Sequence, residues 1–173
     1  VDELYISEKI NDETLPDAVR NHYRELTEQV KGEVAVCSLA GINVGKIKGK
    51  VGSAEWDAEY AEAAYIALDM IYTGVTESQY PLPHIEYTAK KRMSAGVGIV
   101  DLAHLLAKYK LTYDSQEGRD LIHKVAESHY YHLLSASLTL SKEFGNAEWM
   151  DKTKWVDGWL PIDTYNKHVD EVV

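Results

Sequence analysis

Residues 31–48 read KGEVAVCSLAGINVGKIK and carry a β-type signal in a chain whose other periodic stretches are helical. Val34 and Val36 alternate with Glu33 and Ala35, the period of two that places successive side chains on opposite faces of a strand. Gly41, Asn43 and Gly45 follow closely, the punctuation of a turn leaving a strand end. The expectation is a strand over residues 33–37, with Cys37 at its C-terminal end facing the cleft that this end lines. Cys37 is the only cysteine in the chain. A lone cysteine is commonly a small buried hydrophobe, and the residues alone leave that reading open beside a chemical one.

Composition narrows the classes. The 173 residues suit one domain, and 45% hydrophobic residues suffice to close a core. A formal net charge of -10 and a pI of about 5.1 argue against non-specific binding to a nucleic acid backbone, which needs a basic face. No apolar run has the length of a membrane span, and no signal peptide is visible. A single cysteine excludes an internal disulfide framework and fits a reducing compartment, the cytoplasm.

In chain order, residues 1–12 are polar and aperiodic. Leu15, Val19, Tyr23, Leu26 and Val30 form one apolar stripe, predicting a helix over 14–30, with Asp12 or Thr14 as cap, Pro16 in the first turn and Gly32 as stop. Residues 45–53, GKIKGKVGS, read as an exposed connection, since no Gly-Lys-Ser/Thr follows a strand as a phosphate loop requires. Trp56, Tyr60, Ala63, Ala64, Ala67, Leu68 and Ile71 keep helical spacing, predicting a helix from Ser53 or Ala54 to Tyr72, capped by Ser53 and closed by Gly74. Tyr80–Pro83 is extended. A helix is expected from His84 to Arg92. Gly96 and Gly98 then read as a corner between helices, although they also suit a backbone approached closely by a ligand. A helix over 100–107 follows. Ser115 caps a long helix from about Gln116 to Phe144, with Gly145 as its stop.

Five segments, in this order, carry a resemblance. GEVAVCSLAGINVGKI is similar to a strand and turn reading roughly GE(I/V)A(L/V)C(T/S)L(S/G)xxNLGxI. GVGIVDLAHLLAKY is similar to RRxLGIGVxGLxxxLxxxG, with Met93, Ala95 and Asp101 as departures. YDSQEG and the helix SHYYHLLSASLTLSKEFG match YDSxEG and (I/T)(Y/F)YxxLxASxELAKExG. WLPIDTY matches GxLPIDTY. Together they cover about residues 32–165 and resemble the large (alpha) subunit of class I ribonucleotide reductases.

The resemblance implies a mainly α segment with one or two strands, residues 1–173 forming part of a ten-stranded α/β barrel. It implies reduction of ribonucleoside diphosphates to deoxyribonucleotides by radical chemistry. Cys37 matches one half of the redox-active cysteine pair that supplies the reducing equivalents, its partner lying in family sequence upstream of this chain. The family's thiyl-radical loop, NxCxE, its tandem-tyrosine relay and its C-terminal cysteine pair have no counterpart here. The chain also opens at Val1 without Met and stops at Val173. It is therefore expected to be a piece of a larger subunit, from a split gene or a cut fragment, and inactive alone. Implied partners are complementary fragments, a small radical-generating metal subunit, a ribonucleoside diphosphate, and a dithiol reductant such as thioredoxin or glutaredoxin. No cofactor is expected in this chain, and neither nucleic acid nor membrane as partner.

Two other readings come from the residues. One is a helical interaction module that keeps the fold without catalysis. The other is a helical di-metal protein. Asp101 and His104, and Asp120 and His123 with Glu127 beyond, each sit one turn apart, and Glu59 and Glu62 offer carboxylates from another helix. Such centres normally use Glu-x-x-His, and these pairs also suit solvated helix faces. Tyr130 and Tyr131 read as two aromatic residues on the long helix with one or both packed in the core, and Trp149, Trp155 and Trp159 as packing or contact residues.

Overall fold

The computed structural model describes residues 8–29 and 34–172. A helical turn at 8–11 leads into α1 (Asp17–Gln29). Then follow β1 (Ser38–Asn43), α2 (Ala54–Glu77), α3 (Pro83–Arg92), β2 (Ala95–Val100), α4 (Leu102–Lys108) and α5 (Gln116–Phe144). Two 3-10 turns, Met150–Lys152 and Lys154–Asp157, precede α6 (Pro161–Val172). The strands pair in parallel, from Ser38 beside Ala95 to Asn43 beside Val100. A parallel pair needs a long crossover, and α2 and α3 provide it.

The two long helices start where a serine can cap them. Ser53 has extended backbone, and its hydroxyl accepts the Trp56 N–H at 3.3 Å. Ser115 does the same for the Gly118 N–H at 3.0 Å. Each cap satisfies a donor that the helix itself leaves unpaired. Beyond the caps, spacing decides the buried face. Trp56, Tyr60, Ala64, Ala67, Ile71 and Val75 line one side of α2, and Leu121, Val125, His132, Ala136 and Leu140 one side of α5. Alanines at 64, 67 and 136 let these helices approach closely. Trp56, Tyr60, Val44 and Val125 are fully buried between them and the sheet.

Four expectations change. Residues 34–37 are not a strand; the strand begins at Ser38, and Gly41 and Asn43 lie inside it. Glu33 lies outside the described residues, as do Val30 and Gly32 of the α1 prediction. Gly74 does not end α2, which continues to Glu77 because Val75 is buried with Ile71 and Ala89. That burial offsets the roughly 1 kcal/mol helix penalty of a glycine. Gly96 and Gly98 are not a helix corner but the interior of β2. The helix expected over 100–107 begins only at Leu102, since Val100 still belongs to β2. Finally, α6 was not foreseen, although Pro161 at its first position is a helix-start signal.

Candidate functional site

Cys37 is exposed and stands one residue before β1, at its N-terminal end rather than at the C-terminal end of a preceding strand. Register gives the reason. Ser38 pairs with Ala95, so the next step outward would set Cys37 beside Ser94. There the chain has only just left α3 through Met93, whose φ of 48° and ψ of 41° are left-handed. The ladder has no extended partner to continue along, and residues 34–37 stay irregular.

The sheet has one covered and one open face. Ala40, Ile42, Val97 and Ile99 pack into the helical core. Leu39, Gly41 and Asn43 point the other way and are exposed, Leu39 at 76%. Glycines shape this open face. A Cβ on Gly96 would stand 2.6 Å from Leu39 Cδ2, and one on Gly41 2.7 Å from Val100 Cγ2. Each large side chain therefore lies across a glycine of the other strand, which flattens the face next to Cys37.

At the C-terminal end of the sheet, Asp101 adopts φ 69° and ψ 28°, a conformation that favours glycine or asparagine. Its carboxylate is fixed by His104 Nδ1 at 3.0 Å. Both press on the turn after β1, where a Cβ on Gly45 would clash with Asp101 Oδ2. Lys108 Nζ donates to the Gly45 carbonyl at 3.2 Å. Gly45→Ala is expected to destabilise the fold by about 1–3 kcal/mol, the usual cost of overpacking, with the loss read by urea denaturation.

A buried polar seam joins α2 to α5. Trp56 Nε1 donates to Ser128 Oγ at 3.1 Å, and Tyr60 meets His129 Nδ1 at 2.9 Å. His129 Nε2 lies 3.0 Å from the Val97 carbonyl. A carbonyl only accepts, so Nε2 carries the proton and Nδ1 accepts from the Tyr60 hydroxyl. The Val100 carbonyl accepts from Val44 across the sheet. Carbonyl direction alternates along a strand, so that of Val97 points to the outer edge of β2, where His129 meets it. His132 stacks on Tyr60 and faces Asp57 Oδ1 at 3.5 Å. Burial pushes the His129 imidazole below its ordinary value, partly opposed by the Val97 carbonyl, and pushes the Tyr60 phenol up. Below the ordinary histidine value the unfolded chain binds the proton more readily than the folded one. This contribution is therefore full at neutral pH and is lost as pH falls through and below about 6.5. The melting temperature of the chain should fall more steeply from pH 7 to pH 5 than that of His129→Gln, measured by circular dichroism.

The di-metal residues are not brought together. Asp101 is held by His104, Asp120 accepts from Gln116 Nε2 at 2.8 Å, and Glu59 accepts the Lys48 N–H at 2.6 Å. His123, Glu127 and Glu62 are exposed. Among the described residues no group of three His, Cys, Asp or Glu side chains is placed to hold a metal ion. Tyr131 is exposed, while the Tyr130 hydroxyl is buried without a hydrogen-bond partner among the described residues. No helix among them is long and apolar enough to cross a membrane.

The seam was legible only in part from sequence: Tyr60 fell on the predicted apolar stripe, and His129 was not singled out. Its signal was a histidine four residues after Val125 and seven before Ala136, on the buried side of α5.

A family described as "Ribonucleotide reductase, barrel domain" matches residues 12–172, a wider span than the motifs alone covered. The chain belongs to the ribonucleotide reductase barrel-domain family. A ribonucleoside-diphosphate reductase subunit alpha of Buchnera aphidicola subsp. Acyrthosiphon pisum is 34% identical over 181 residues, covering 99% of this chain and 23% of the relative. The subunit alpha of Haemophilus influenzae is 35% identical over 82% of the chain and 18% of the relative. That of Enterobacteria phage T4 is 40% identical over 66% of the chain and 14% of the relative. The chain thus spans less than a quarter of the length of these relatives.

Proposed function

We propose that this chain supplies part of the catalytic barrel of a ribonucleoside-diphosphate reductase alpha subunit, with Cys37 as one of its two reducing thiols. The observation that carries the reading is the position of Cys37: within the reductase-like motif, exposed, and at the head of a strand whose open face is covered by no helix among the described residues. In this chemistry the Cys37 thiol and a second cysteine outside the chain give up two electrons and two protons. An S–S bond forms as the C2′–O bond of the ribose breaks, the hydroxyl leaves as water and a hydrogen takes its place on C2′. An external dithiol then reopens the disulfide by thiol exchange, and a separate radical-generating metal subunit starts each turnover.

β1 and β2 fit as two neighbouring parallel strands of the ten-stranded barrel. A two-stranded sheet rarely stands alone in water, and apolar side chains remain exposed: Leu39 and Val100 on the sheet, Ile66 and Met70 on α2, Tyr131 and Leu138 on α5. Such surface suits a large interface with complementary segments of the subunit, of the size of obligate interfaces, about 2,000 Å² or more in total. Reconstitution tests this. On size-exclusion chromatography the chain should co-elute with a polypeptide holding the remainder of an alpha subunit. The mixture, given the small subunit, a ribonucleoside diphosphate and a dithiol, should form deoxyribonucleotide. A chain that remains a well-behaved monomer beside its complement would count against the proposal, as would turnover by the chain without it.

A further inference from the structure

Between α2, α5 and the start of β2 lies an apolar groove of about 880 Å³. Leu68 and Ile71 form one wall, Leu133 and Leu134 the other, with Met93 and Val97 at the base. One rim is made by the connection from α5 to α6, with its two 3-10 turns, which contributes Gly145, Met150 and Trp155. Two glycines with positive φ bound this connection, Gly145 at 89° and Gly158 at 68°. These are backbone states that side chains other than glycine seldom adopt. Between them nearly every residue is exposed; only Ala147, Trp149 and Met150 are partly covered.

The attachment is concentrated at Trp149. Its N–H donates to the Lys91 carbonyl at the end of α3 at 3.0 Å. Its indole meets Tyr87 edge-on at 5.8 Å, with Arg92 at 5.7 Å and the Lys152 ammonium at 3.8 Å from the ring centroid. Glu148 pairs with Lys91 beside it. Exposed ion pairs contribute little, whereas an indole face held by two cations and a second ring is the larger contact.

We propose that residues 145–158 form a strap, hinged at Gly145 and Gly158 and latched by Trp149 onto α3, that opens and closes over this groove. The strap is a separate low-stability unit: it moves while α2 and α5 stay paired, because their contacts do not run through it. Opening widens access to the apolar base at Val97; closure narrows it. The proposal concerns this chain alone and does not depend on the reductase reading.

Hydrogen exchange on the full 173-residue chain, read by mass spectrometry, tests it. Trp149→Ala should speed exchange of the amides in 145–158 by about tenfold or more, as expected for local opening. Binding of the apolar dye ANS should rise, and protection of α2 and α5 should not change. The double variant Lys91→Met, Glu148→Gln removes the ion pair and the Lys91 ammonium over the Tyr87 ring but keeps the Trp149 ring contacts with Tyr87, Arg92 and Lys152, and should leave strap exchange within about twofold of wild type. Three results would overturn the proposal. One is unchanged strap exchange in Trp149→Ala. Another is equal loss of protection across strap, α2 and α5, which would make Trp149 an ordinary part of one cooperative fold. The third is as large an effect from the ion-pair variant as from Trp149→Ala.

Discussion

Cys37→Ser is expected to abolish multiple turnover in a reconstituted reductase while leaving the chain folded and its assembly intact. The structural half of this expectation follows from exposure. Cys37 is outside the core and outside the β1 ladder, so a serine neither opens a cavity nor strands a buried hydroxyl, and the stability change should stay within about 0.5 kcal/mol. The chemical half follows from the proposed reaction. A serine hydroxyl cannot form the S–S bond whose formation delivers two electrons, and it offers the dithiol reductant nothing to exchange with. Two measurements decide the matter. Thiol mapping after one turnover should find Cys37 oxidised in the wild-type complex, and the steady-state rate of the variant should fall to background. A Cys37→Ser complex that turns over at the wild-type rate would falsify the catalytic assignment and leave the cysteine a bystander on an exposed segment.

The second large effect is expected at Tyr60. This tyrosine is fully buried, stacks on His132, tilts against Trp56 and donates to His129. Tyr60→Ala removes a ring from the centre of the α2–α5 contact, and aromatic deletions in cores cost about 3–5 kcal/mol. Tyr60→Phe keeps the ring and deletes only the hydroxyl. It leaves the partly buried His129 Nδ1 without its donor, and losing such a hydrogen bond costs about 0.5–1.5 kcal/mol. The ordering of the pair is the test: equilibrium unfolding in urea should rank wild type above Tyr60→Phe and Tyr60→Ala last. Equal losses would mean that the hydrogen bond to His129 dominates and that the ring contributes little. A neutral Tyr60→Phe would mean that the seam through His129 to the outer edge of β2 does not hold the helices to the sheet.

Much of the helical architecture was already present in local sequence. Ser53 and Ser115 cap the long helices as expected, because capping depends on groups three residues apart. The apolar faces of α2 and α5 follow from 3.6-residue spacing, which is equally local. The reductase-like motifs are legible too, since a motif is a pattern of identities and not of contacts. The family match over residues 12–172 agrees with them.

Strands depend on partners. AGVGIV of β2 lacks clear alternation and is broken by two glycines, so alone it reads as a corner; paired with β1 it is a strand whose glycines make room for Leu39 and leave an open face. The same dependence moved the first strand. Val34 and Val36 have the right period, but among the described residues no strand pairs with them, whereas Ser38–Asn43 has Ala95–Val100 as a hydrogen-bonding neighbour. Gly74 stays helical because Val75 beyond it is buried. Residue types and spacings thus determined the helices, their caps and the cysteine-bearing motif. Tertiary structure decided where the strands begin, which sheet face stays open, and that His129 meets both Tyr60 and Val97, because these rest on hydrogen bonds and burial between residues far apart in sequence.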